Sequence, residues 1–211
     1  MDEKKIAELK KEQIKLARKV SLKEEKNEIN LIAGVDQAFF GKKIISAIVV
    51  LDYKTMEFKE QKYAVVDEKF PYVSGFLSYR EGPAIIEAYN KLENVPDLLI
   101  MEGSGILHPR KMGMASHVGL LIDKPTIGIT KTLLCGEVKN GKVLMNNEIL
   151  GFELRTKEHG NPIYVSPGHK ITLEKSLEIV KKLIKPPHKL PEPLHLAHRY
   201  SDKLREKFEK E

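Results

Sequence analysis

The chain has 211 residues, 41% hydrophobic and 31% charged, which fits one soluble globular domain and excludes a mostly disordered protein. Its formal net charge of +6 is a mild bias toward polyanionic partners, and no apolar run approaches the ~20 residues of a membrane span. One cysteine, Cys135, cannot close an internal disulfide, so a reducing interior is expected, and the amino terminus is charged from Asp2 onward with no signal-peptide core.

In chain order, residues 2–26 are rich in Lys and Glu, with Ile6, Leu9, Leu16 and Val20 at helical spacing and Gln13 filling the gap in that stripe. They predict an amphipathic helix (within 1–27) lying on a single domain of 1–211, with no chemistry of its own. Leu31–Asp36 reads as a buried central strand ending in an acid. Ile44–Leu51 and Phe58–Val66 follow as further strands of an antiparallel meander. Pro71–Leu77 is a loop carrying Tyr72, and a helix opens at Arg80-Glu81-Gly82-Pro83. Leu98-Leu99-Ile100-Met101 is an apolar run without polar alternation, as in a strand buried on both faces, and it leads into Glu102 and the glycines 103 and 105. A short helix is predicted over 112–122 and a strand over 125–131 that ends in Lys131. Asn140-Gly141 marks a hairpin, 149–156 and 163–166 read as strands, and Ser166-Pro167-Gly168-His169 reads as a turn. A helix capped by Thr172 and a last helix from Pro193 complete the chain.

Three acids stand at comparable places: Asp36 after one strand, Glu81 at a helix start, Glu102 after another strand. Each alone has a plainer reading, as a hydrogen-bonded core Asp, a helix-dipole partner and a solvated turn acid. Together they fit a cluster at one edge of a sheet, and converging carboxylates bind hard cations such as magnesium or manganese. A metal-dependent phosphodiesterase on a mixed sheet is the reaction class to which this points. His198 reads as a satisfied core residue, His117 as a packed or solvated helix residue, and Tyr72 as either a base-stacking aromatic or a lid on the core edge.

The same residues carry a family likeness. Gly34-Val35-Asp36, Pro71-Tyr72-Val73-Ser74-Gly75 with Arg80-Glu81, Gly103-Ser104-Gly105 with His108-Pro109-Arg110, and Gly113–His117 occur in order. Pro125–Gly128 with Lys131, Tyr164–His169, and Leu190–Pro193 up to His198 complete the set. Across roughly residues 30–200 the chain resembles endonuclease V, the deoxyinosine-directed repair nuclease of the RNase H-like superfamily. The resemblance implies an α/β, RNase H-like mixed sheet flanked by helices. It implies a cytoplasmic monomer that nicks DNA at the second phosphodiester bond 3′ to deoxyinosine, with inosine-containing RNA a further substrate and no membrane partner. Asp36 and Glu102 would hold Mg2+, or Mn2+ in its place, with Glu81 and His198 beside them and Lys131 near the cleaved phosphate. Tyr72 would be the wedge that fills the space of the extruded base. Gly103, Gly105 and Gly128 would line the hypoxanthine pocket, with Arg80, His108, Arg110, Tyr164 and Ser166 counted among the nucleic-acid contacts.

The likeness departs from the family pattern at the centre of the site. Glu102 stands where the family has aspartate, adding one methylene at a position where metal geometry is intolerant of displacement. Ser74 stands where the wedge loop commonly has proline, which leaves that loop less stiff. Two functions follow from the first departure: an active inosine-specific nuclease with shifted metal preference, or a weakly catalytic or non-catalytic inosine- and nucleic-acid-binding protein on the same fold.

Overall fold

The computed structural model describes residues 2–24 and 28–210. The predicted first helix is shorter than its apolar stripe: α1 spans Glu3–Ala17, its first turn capped by the Asp2 carboxylate, which accepts from the Lys4 N–H. Residues 25–27, the end of that predicted segment, lie outside the described residues. Val20 leaves the helix and packs with Ile106, Leu107, Val143 and Leu150.

The predicted meander forms as β1 (Leu31–Phe40), β2 (Lys43–Asp52) and β3 (Phe58–Asp67), antiparallel throughout. β4 (Leu98–Glu102) runs parallel to β1, and β5 (Thr126–Thr130) runs parallel to β4. The sheet continues antiparallel through β9 (Ile163–His169), β8 (Glu148–Leu154), β7 (Lys142–Met145) and β6 (Glu137–Lys139), giving the order β3-β2-β1-β4-β5-β9-β8-β7-β6.

Strand side chains alternate faces, so the central strands feed two cores. On one face Ile32, Leu98, Ile100, Ile127 and Ile129 pack against α4 (Leu173–Leu183) and α5 (Glu192–Phe208). On the other, Ala33, Val35, Leu99 and Met101 pack against α2 (Leu77–Tyr89) and α3 (Met114–Ile122). Coverage by helices on both sides explains why Leu98–Met101 carries no polar residue.

Two local readings are corrected. α2 begins at Leu77, four residues before Glu81, so Glu81 is a buried mid-helix residue and Pro83 lies inside the helix rather than in its first turn. The dipole explanation for Glu81 therefore fails. Ser166–His169 belongs to β9 rather than to a turn, because a bulge lets Pro167 and His169 both pair with β5 while Gly168 is skipped. The Asn140-Gly141 hairpin forms as read, with both residues at positive φ (51° and 75°) between β6 and β7.

Candidate active site

The site follows from the parity of two strands. In β1 the even residues Ile32, Gly34 and Asp36 face α5, and in β4 the even residues Leu98, Ile100 and Glu102 do the same. The parallel register pairs Val35 with Met101, so Asp36 and Glu102 come next, side by side where that pairing ends. Glu102 is the last residue of β4, whereas Asp36 lies within β1, which runs on to Phe40 because β2 continues to pair with it, rather than closing its strand as the sequence reads. Open α/β sheets place their ligands at the carboxyl ends of their parallel strands. Helix α5 brings His198 and, one turn later, Ser201 against Asp36: His198 Nδ1 lies 2.9 Å and Ser201 Oγ donates at 2.7 Å to the same oxygen, Oδ2. Lys131, just past the end of β5, donates to Glu102 Oε2 at 3.0 Å. Glu81 arrives from α2 on the opposite face of the sheet and is 5% exposed.

Asp36, Glu81, Glu102, Lys131, His198 and Tyr72 line a cavity of about 450 Å³, and Ser201 lies behind Asp36 outside its lining. Ligand atoms of Asp36, Glu102 and His198 all lie within 4.8 Å of one another. Burial raises the Asp36 carboxyl, but hydrogen bonds from His198 and Ser201 and the imidazolium charge outweigh it, and the group sits below its ordinary range. Glu102 moves the other way, raised by burial and then by the Asp36 charge against the opposing pull of Lys131. Glu81 is pushed up to about 7, first by burial and further by the charges of Asp36 and Glu102, with Arg80 opposing. His198 is raised chiefly by its hydrogen bond to Asp36. Glu102 and Glu81, each raised in part by a neighbouring carboxylate, are a standing electrostatic cost that a bound cation would remove.

Other predicted residues take different positions. Tyr72 is 67% exposed on the 68–76 loop, and the Arg80 guanidinium lies 5.9 Å from its ring centroid. Gly103 and His108 line the cavity. Gly105 and Gly128 do not; they let main chains approach where a Cβ would stand 1.9 Å from the Pro167 carbonyl oxygen or 2.4 Å from that of Gly103. The Ser166 hydroxyl is buried beneath this turn, accepting from the Gly105 N–H at 2.8 Å. Tyr164 packs against the Ile106–Leu107 cluster, and Arg80 is paired with Glu68 while lying over the Phe39 ring. Arg110 is turned inward to Gln13 and Gly75. Of the expected nucleic-acid contacts, then, Gly105, Gly128, Ser166, Tyr164, Arg80 and Arg110 build the frame rather than the cavity wall.

Sequence reasoning overlooked Ser201 and Gln13. The signal for Ser201 was its place one turn after His198 on the buried face of α5. That for Gln13 was a polar residue in an otherwise apolar helical stripe, which needs a partner if buried.

His108 shows how tightly the frame is specified. Its Nδ1 accepts from the N–H groups of Arg110 (3.1 Å) and Met112 (3.4 Å), which leaves Nε2 to carry the proton and donate to the Gly75 carbonyl at 3.0 Å. Burial, then the Arg110 charge, push its pKa down from 6.5 to about 4. A depressed histidine is neutral when folded but takes up a proton when unfolded below pH 6.5. Its contribution is therefore complete above pH 6.5 and is lost as pH falls toward 4, about 3 kcal/mol in all. Urea midpoints between pH 7 and 4 are expected to fall less steeply in His108→Gln by about that amount, and equal slopes would refute the assignment.

A carboxylate–imidazole cluster on the central strands of a mixed sheet, with helices on both faces, is the setting of an α/β nuclease. The chain belongs to the endonuclease V family, whose sequence model matches residues 14–199. It is 42% identical over 200 residues to the endonuclease V of Dictyoglomus turgidum, covering 91% of this chain and 87% of that one. To the Thermosipho melanesiensis enzyme it is 43% identical over 204 residues, with 93% and 89% covered. The crystal structure of endonuclease V from Bacillus subtilis superimposes with a TM-score of 0.89 at 34% identity, spanning 100% of this chain and 94% of that one. Ciona intestinalis endonuclease V, crystallised with a 24mer DNA containing an inosine followed by a ribo-adenosine, gives a TM-score of 0.87 at 27% identity, with 98% and 100% covered.

Proposed function

We infer that this endonuclease acts on deoxyinosine in DNA, depends on a divalent cation, and hydrolyses the second phosphodiester bond 3′ to the lesion, with inosine-containing RNA as a second substrate. The observation that carries this reading is the convergence of Asp36, Glu102 and His198 within 4.8 Å, at a cavity that the exposed Tyr72 overhangs. The likeness to a relative crystallised with inosine-containing DNA supports the substrate.

The donor set fits a hard cation: two carboxylates on adjacent strands, an imidazole, and a third buried acid close enough to feel their charge. Asp36, Glu102 and His198 would hold Mg2+ or Mn2+, with Glu81 completing the acidic wall. When bound, such an ion supplies Lewis-acid activation of water and neutralises charge on the scissile phosphate. Ser201 and His198 fix the Asp36 carboxylate in one orientation by bonding the same oxygen. Lys131, 41% exposed at the cavity wall, offers its ammonium to a phosphate oxygen as a point charge. Tyr72 occupies the gap that the extruded base leaves, and hypoxanthine, weakly paired, is cheap to extrude. Main-chain groups around Gly103 and Ser104 then read its edge. An adenine there would leave buried polar groups unpaired, at about 1–3 kcal/mol per group.

The test is cleavage of a labelled duplex with one deoxyinosine, in magnesium, in manganese and in chelator, beside an undamaged duplex. The expected result is a metal-dependent nick one nucleotide beyond the 3′ neighbour bond, with manganese favoured because Glu102 reaches further than aspartate. Binding without nicking in every metal would overturn it. Glu102→Ala is expected to lose activity in both metals, and full activity in that variant would remove Glu102 from the metal site.

A further inference from the structure

The carbonyl oxygen of Gly75, in the loop that carries Tyr72, is gripped from three elements at once. It lies 3.0 Å from Gln13 Nε2, 2.8 Å from Arg110 Nη2 and 3.0 Å from His108 Nε2, all three donating. Gln13 is wholly buried on α1, and its amide also donates to the Met112 carbonyl while its oxygen accepts from Arg110 Nε. Arg110 in turn stacks over the Phe76 ring, 4.6 Å from its centroid. Gly75 itself has φ +78°, and a Cβ there would meet Arg110 Nη2 at 2.8 Å.

A buried position in a helical stripe ordinarily takes an apolar residue, and a polar one costs stability unless its bonds are made. Here they are made, and to a loop rather than to the core. An uncharged amide both donates to a carbonyl and accepts from a guanidinium, which no apolar, acidic or basic side chain of similar length does. Among the described residues only Leu9 and Gln13 of α1 are buried, so this clamp is a main point of attachment for the helix. Gln13 does not line the cavity and touches none of its acids.

We propose that Gln13 is a positioning residue for lesion discrimination: by clamping the Gly75 carbonyl with Arg110 and His108, it holds the loop that presents Tyr72 three residues earlier. The inference rests on the reading of Tyr72 as the wedge. A wedge selects by occupying a fixed place, and a loop ordered before binding does not lose that entropy on each encounter. The effect therefore falls on the preference for deoxyinosine and on KM, while kcat at saturating substrate is kept.

The chain has no tryptophan, so Tyr72→Trp places a single tryptophan on the loop, whose emission is excited selectively over that of the remaining tyrosines. Gln13→Met, made in the native chain and in that background, is expected to lower the affinity ratio for duplex with and without deoxyinosine about three- to tenfold, the range of one hydrogen bond. Acrylamide quenching of the reporter should rise. Gln13→Glu keeps the partner of Arg110 but loses both amide donations, and should lose most of the same ratio if Gln13→Met proves too unstable to assay. Unchanged ratio and quenching in either folded variant overturns the proposal. So does an equal loss on both duplexes with quenching unmoved, which would mark a packing role only. Tyr72→Ala separates the two levels. If it leaves the ratio intact the wedge reading itself falls, whereas if it lowers the ratio and the Gln13 variants do not, only the role of Gln13 falls.

Discussion

Asp36→Asn is expected to lower cleavage by about a thousandfold or more, while affinity for a deoxyinosine duplex stays within a fewfold. Asparagine retains the shape and an oxygen that accepts from Ser201, so the β1–α5 contact survives. What it removes is the charge that His198 and any bound cation require. Because Asp36 is a principal cause of the raised His198 and also raises Glu102, both groups should move back toward their ordinary values, and an NMR titration of the His198 ring reads the first directly. Stability should change by no more than about 1 kcal/mol, since relief of the Glu102 repulsion offsets the weakened histidine pair. A variant that keeps more than about a tenth of the activity would remove Asp36 from the chemistry.

Gly34→Ala should produce a large structural effect for a single methyl group near the site. An added Cβ would stand 1.9 Å from the Pro193 carbonyl oxygen and 2.5 Å from the Leu194 nitrogen, both main chain, so no side-chain rotation relieves it. The start of α5 must lift off β1, at about 3 kcal/mol, which lowers the unfolding midpoint by about 6–12 °C for a chain of this size. The displaced segment lies less than two turns ahead of His198, so the 2.9 Å contact to Asp36 opens as well. Cleavage should therefore fall at temperatures where the variant is fully folded, about tenfold or more. Gly82→Ala is the control: nothing lies within 4 Å of its Cβ, and a helix-interior alanine should stabilise slightly. Calorimetry of the two variants beside cleavage assays at low temperature decides the point, and a midpoint for Gly34→Ala equal to the native one would refute the clash.

The strands and most helices were legible because their signals are local. Val-, Ile- and Leu-rich runs bounded by turns, Asn140-Gly141, and Thr172 as a cap (accepting from the Lys175 N–H at 3.1 Å) each depend on residues a few positions apart. The errors fell where a distant contact overrides local preference. Pro83 reads as a helix start, yet the packing of half-buried Leu77 and buried Ser78 and Glu81 starts α2 at Leu77. The Pro167-Gly168 pair reads as a turn, yet β5 supplies the neighbour that accommodates it as a bulge.

For the site the division is similar. The chain by itself determined which acids follow its apolar runs and, through the order of its motifs, which family it belongs to, because a carboxylate directly after a run of apolar residues is chemically conspicuous in a linear text. Only the tertiary structure decided which groups serve the cavity and which serve its frame. Ser201 bonded to Asp36, Gln13 bonded to Gly75 and Ser166 bonded to Gly105 are all pairings across 60 or more residues of sequence, and Gly128 packs against the Gly103 turn of the neighbouring strand. The physical reason is that a hydrogen bond or a close approach depends on angstroms, and residue type and spacing along one segment carry no information about the distance to another.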